Sequence, residues 1–94
     1  MSDVILTIAD VFQIDGRGTV VTGYRGRAWS KAARGGLIEL QAPSKQPVRT
    51  HIRDLEEFHP CFTSDGRLHG GILLGDLVAA EDAPPGTQIV EATE

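Results

Sequence analysis

One cysteine, one tryptophan, one tyrosine and one methionine in 94 residues leave little material for several kinds of function. With Cys61 alone, no disulfide can close within the chain, and a reducing compartment is permitted. Lysine is scarce as well. Lys31 and Lys45 are the only two, and neither sits in a Gly-x-x-x-x-Gly-Lys-Ser/Thr string, so no phosphate-cradling loop, and hence no nucleotide, is expected. Long apolar runs are missing: Gly71 to Leu74 and Leu77 to Ala80 fall far short of the ~20 residues that cross a bilayer. Residues 1–15 carry Asp3, Asp10 and Asp15 but no Lys or Arg, which lacks the basic start of a secretory signal. A cytoplasmic protein with no membrane contact is the expectation. What remains is 40% hydrophobic with a formal net charge of −4. A chain this short buries roughly 60–65% of its unfolded surface, enough for one modest core. A single domain over residues 1–94 follows, and multistep catalysis on a large substrate is disfavoured.

Eleven glycines and five prolines punctuate short runs rich in Val, Ile, Thr and Leu, the pattern of strands joined by turns. Val4, Leu6 and Ile8 alternate with Ile5, Thr7 and Ala9 at the period of two of a half-buried strand. Asp15-Gly16 within Gln13 to Gly18 predicts a hairpin turn, because both residues tolerate the backbone angles of tight turns. A second strand follows from Thr19 to Tyr24. Arg25 to Arg34 reads as a long loop with a helical turn at Trp29 to Ala33. Leu37 to Gln41 and Val48 to Leu55 form a second hairpin, Ile72 to Val78 a fifth strand, and Pro84-Pro85-Gly86 a turn into a sixth at Thr87 to Val90. Six short strands predict an all-β, closed antiparallel barrel, which removes exposed sheet edges.

At Gly16-Arg17-Gly18-Thr19-Val20-Val21-Thr22-Gly23 the chain resembles the opening of the second domain of elongation factor Tu and related translational GTPases. Thr50 to Phe58 resembles that family's segment ending in a Val-Glu-Met-Phe-like string, Gly71 to Gly75 its Gly-Val-Leu-Leu strand, and Pro85 to Ala92 its closing strand. The resemblance covers roughly residues 4–92 and implies the six-stranded, Greek-key-like translation-protein barrel, here as a stand-alone domain without its GTPase. In elongation factor Tu this domain helps hold the aminoacylated end of tRNA, so the resemblance also implies an RNA-end pocket. Glu56 falls where the family has a pocket glutamate; His59 stands in place of an arginine and His69 in place of an asparagine. The stretch from Tyr24 to Gly36 is longer and more basic than the family's usual turn.

Charge is unevenly spread. Between Gly16 and Ile38 lie five basic residues, Arg17, Arg25, Arg27, Lys31 and Arg34, and no acid; the rest of the chain holds four basic residues against 13 acidic ones. Tyr24 and Trp29 lie inside this basic segment, and Arg with aromatic rings is the composition of protein interfaces and of RNA stacking sites. The leading expectation is a non-enzymatic protein-interaction module using Tyr24, Arg25, Arg27, Trp29, Lys31 and Arg34. The alternative is binding of an RNA 3′ end through Glu56, His59 and His69. Against both stands the plainer reading in which Trp29 plugs one end of the barrel and the arginines form a solvated loop.

Other site chemistry is poorly supported. His51, His59, Cys61 and His69 are zinc-ligand types, yet only His59 and Cys61 are close in sequence, so no metal is expected. No cofactor is expected either. A Cys61 nucleophile needs a histidine in hydrogen-bond reach, which Pro60 makes unpredictable. Glu56-Glu57 and Glu81-Asp82 point to alternate faces if extended, the wrong geometry for shared acid and base work. Partner identity and oligomeric state are not specified by the sequence.

Overall fold

The computed structural model describes residues 3–43, 45–58, 69–75 and 78–92, with backbone alone at 56–58 and 80. Its strands are β1 (Val4–Ile14), β2 (Gly18–Arg25), β3 (Leu37–Gln41), β4 (Val48–His51), β5 (Asp54–Phe58), β6 (His69–Gly75) and β7 (Gln88–Glu91). All seven join one sheet in the order β4-β3-β7-β1-β2-β6-β5, and every pairing is antiparallel. The expected all-β class is therefore met. Single 3-10 turns at Trp29–Lys31 and Ala80–Asp82 complete the described elements. Among the described residues no helix is long and apolar enough to cross a membrane.

The strand count differs from the expected six at one place: Val48 to Leu55 is not one strand. Ile52 turns its amide to the Gly36 carbonyl (3.0 Å) and accepts from the Gly35 amide (2.7 Å), while the Arg53 amide donates to Leu73 on β6 (2.9 Å). Two residues thus carry the chain from β4, at one edge of the sheet, to β5, at the other. Three peptide links span at most about 11 Å between His51 and Asp54. A seven-stranded sheet whose two edges lie that close is strongly curled. Ile52 is buried at the crossing, 1% exposed.

The expected fifth strand also shifts, from 72–78 to His69–Gly75. Gly75, at φ +84°, ends it in a conformation that side chains other than glycine's resist. Its start was hidden in the sequence because Gly70 and Gly71 are poor strand formers. The reason for glycine at 70 is steric: a Cβ there would stand 2.6 Å from the Trp29 ring.

Ile5, Leu6, Ile8, Val21, Ile38, Leu40, Ile72, Leu74 and Ile89 fill the concave interior, each at most 2% exposed. Trp29, in the predicted helical turn, belongs to this core, and the turn is held by Ala28 donating to the Val4 carbonyl and Gly26 to that of Ile5. Beyond the other end of β2, Val78 and Ala83 are buried as well. There the Thr19 hydroxyl, fully buried, donates to the Val78 carbonyl and accepts from Gln13 Nε2 at 2.6 Å. The predicted turns hold too: the Arg17 amide closes the β1–β2 hairpin on the Ile14 carbonyl (3.0 Å), and Thr87 closes Pro84-Pro85-Gly86 (3.1 Å).

The Trp29–Gly70 packing yields a testable coupling. Trp29→Ala should lower stability in urea unfolding by about 3–5 kcal/mol, as for a large core aromatic. Gly70→Ala should cost about 1–3 kcal/mol by driving a methyl into the ring. In a Trp29→Leu background that second cost should shrink, since the smaller side chain gives way; strictly additive losses would contradict the contact.

Candidate functional site

Antiparallel register sorts β1, β2, β6 and β5 into two faces. Val11, Val21, Ile72 and Leu55 stand opposite one another, and Val21 and Ile72 are fully buried, so this row faces the core. The next row, Phe12, Val20, Leu73 and Asp54, faces outward. It is apolar over three of its four positions, and Phe12 is 50% exposed with Ile14, two residues on, 42% exposed. Outward apolar side chains clustered in this way mark binding surfaces more often than lone ones do.

A pocket of about 90 Å³ opens among β1, β2, β5 and β6, where the outward residues Val20, Leu73 and Asp54 line it together with Ile14, Arg17 and the core-row residues Leu55 and Ile72. Gly71, opposite Thr22 on β2 and Glu56 on β5, also lines it. An enclosed apolar cavity of roughly 150 Å³ takes up benzene, so an open pocket of this volume has room for an apolar side chain.

The rim is electrostatically organised. Asp54 Oδ1 accepts from the Leu55 amide at 2.9 Å and from Arg34 Nη2 at 3.2 Å. The amide bond first, then Arg34, and more distantly the Arg17 charge hold the Asp54 carboxyl below its ordinary value. Arg17 is itself exposed beside the apolar wall. The site offers an apolar hole with one fixed carboxylate and two guanidinium groups around it.

The expected interaction residues separate into groups. Trp29 belongs to the core, 9% exposed with its ring packed over Gly70. The Arg25 guanidinium stands 5.9 Å from the Trp29 ring centroid, in cation–π range, and is half-buried. Tyr24 is half-buried, edge-on to His69 with centroids 4.8 Å apart and planes at 72°. Arg34 is engaged with Asp54. Arg27 and Lys31 are exposed, and Lys31 borders a shallower depression of about 280 Å³ with Glu91 among its other lining residues.

For the RNA-end residues, Glu56 stands opposite Gly71 and His69 opposite Phe58, so the two occupy neighbouring strands two register steps apart. His59 and Cys61 lie outside the described residues. His51 is exposed at the end of β4. Among the described residues, no three His, Cys, Asp or Glu side chains gather as a metal site would require. The sequence reading missed Ile14, Val20, Asp54 and Leu73; the available signal was Phe12 and Ile14 on the parity opposite to Val11 and Gln13. No family model matches the chain, and no curated protein matches it.

The Asp54 assignment predicts a pH response. A carboxyl held low in the folded state stabilises the fold at and above the ordinary carboxylate range, and that stabilisation is lost as pH falls through its lowered value. Arg34→Ala should move the Asp54 titration, followed by carboxyl carbon NMR, upward. It should remain below the ordinary value because the Leu55 amide bond, the larger cause, survives. An unmoved titration would show that the guanidinium contributes nothing.

Proposed function

We propose that this chain is a non-enzymatic protein-binding module of the kind that forms the second domain of elongation factor Tu, rolled into that family's closed barrel. The observation that carries the binding reading is the apolar pocket among β1, β2, β5 and β6, rimmed by Arg17. The barrel reading is supported by the two-residue link between opposite sheet edges and by the Gly16–Gly23 string forming a hairpin turn and β2. A cytoplasmic location belongs to the same proposal, supported by the single cysteine. The pocket has room for an apolar side chain of a partner protein, and the rim guanidinium of Arg17 suits a carboxylate next to it. Exposed Arg27 and Lys31 extend the cationic surface available to the same partner.

Binding of an RNA end is the second reading, favoured by Arg17 and Arg34 around an apolar wall. Its weakness is electrostatic: a net charge of −4 repels a phosphate chain.

Affinity capture with the immobilised chain, with and without nuclease, separates the two. Capture of a nuclease-resistant protein should weaken about tenfold or more, equivalent to ~1.4 kcal/mol, on Leu73→Asp and on Arg17→Ala. Loss on Arg27→Ala with Lys31→Ala and not on Leu73→Asp would place the contact on the loop. Capture abolished by nuclease would favour RNA.

A further inference from the structure

Two polar groups of opposite sign line the pocket among β1, β2, β5 and β6, and each has hydrogen-bonding capacity to spare. The Arg17 side chain is exposed and makes no hydrogen bond or ion pair among the described residues. Asp15, two positions earlier on the same turn, is exposed, does not line the pocket and does not pair with Arg17. Asp54 is engaged through one oxygen. Its Oδ1 accepts from both the Leu55 amide and Arg34 Nη2, and Oδ2 accepts from neither. Arg34 offsets the Asp54 charge, so Arg17 is left as the unbalanced one and the pocket mouth favours a monoanion, against the net charge of −4 of the whole chain.

A guanidinium fork, a carboxylate oxygen and an apolar hollow within one pocket of about 90 Å³ ask three things of an occupant: a carboxylate, an N–H donor and an aliphatic group, all close together. The last residue of a polypeptide carries all three on a single Cα. An internal acidic residue does not, since its carboxylate stands on a different Cα from the apolar side chain beside it. A fatty acid lacks the N–H. We propose that the pocket captures the C-terminal residue of a partner protein, with its aliphatic side chain among Ile14, Val20 and Leu73, its α-carboxylate on Arg17 and its amide N–H on Asp54 Oδ2. The proposal rests on the protein-binding reading above and narrows it to one kind of partner segment. Terminal-carboxylate capture is a recurring mode of peptide recognition. It also gives a reason for an acid beside an anion-binding arginine: Asp54 reads the N–H, while Arg34 offsets the repulsion its charge exerts on the terminus.

Backbone amide NMR shifts, followed while acetyl-Gly-Gly-Leu and acetyl-Gly-Gly-Val are each added to millimolar concentration, test this. Amides of Arg17, Val20, Gly71 and Leu73 should shift, and the C-terminal amide of each peptide should bind at least about tenfold more weakly than the acid. Arg17→Gln, on an exposed turn where folding is checked by circular dichroism, should remove that preference for the acid. In the unaltered chain the preference should fall as salt rises. Equal binding of acid and amide would overturn terminal recognition and leave the protein-binding reading in place. Free leucine matching the acetylated peptides would assign the pocket to a free amino acid and overturn the partner segment. No shift from any peptide would overturn the proposal alone if Leu73→Asp still weakens capture of a partner protein, and the binding reading with it if capture is indifferent to Leu73→Asp.

Discussion

Ile52 and Arg53 impose the constraint from which the rest of the architecture follows. Strands that lie at opposite edges of a seven-stranded sheet are consecutive in the chain, and two residues are all that separates them. The sheet has to curl until the His51 end of β4 lies within about 11 Å of the start of β5. Curling makes one face concave, and there the branched aliphatic residues of β1, β2, β3, β6 and β7 reach close packing around Ile52. Trp29 packs over Gly70 at one end of β2, and beyond the other end Val78 is anchored through the buried Thr19 hydroxyl.

The same curl decides which cations remain available to a partner. The loop leaving β2 folds back over the end of that strand, and doing so draws Trp29 inward with the Arg25 guanidinium resting against its ring. Continuing toward β3, it crosses the gap between the sheet edges, where Gly35 and Gly36 bond to Ile52 and Arg34 reaches Asp54. Of the five basic residues clustered in sequence, Arg25 and Arg34 are thus partly engaged in holding the loop to the sheet. Local charge in a sequence overstates the charge a surface presents when loop closure consumes part of it.

Much of the fold was legible because it rests on local physics. The Asp15-Gly16 hairpin, the Pro-Pro-Gly turn, the alternation of β1 and the helical turn at Trp29 are each specified by a few adjacent residues. The split at Ile52–Arg53 was not legible, since Val48 to Leu55 has no Gly or Pro to break it and the break arises from a change of hydrogen-bond partner. The start of β6 was obscured for the converse reason: Gly70, which looks like part of a loop, admits the ring of a tryptophan forty-one positions earlier in the chain. The pocket escaped for a third reason, being assembled from residues of β1, β2, β5 and β6 that only the strand register brings together.

An exposed apolar strand end is normally selected against, so its tolerance here needs a physical account. Asp10 and Asp15 bracket Phe12 and Ile14, and charged residues flanking an apolar run oppose indefinite stacking because each added layer would bring like charges together. The bulge between Ile8 and Asp10 adds local twist to β1 and interrupts a flat edge. A net charge of −4 per chain acts in the same direction over longer range. Within that balance, the outward row Phe12, Val20 and Leu73 keeps its apolar surface on a scaffold whose core is already complete.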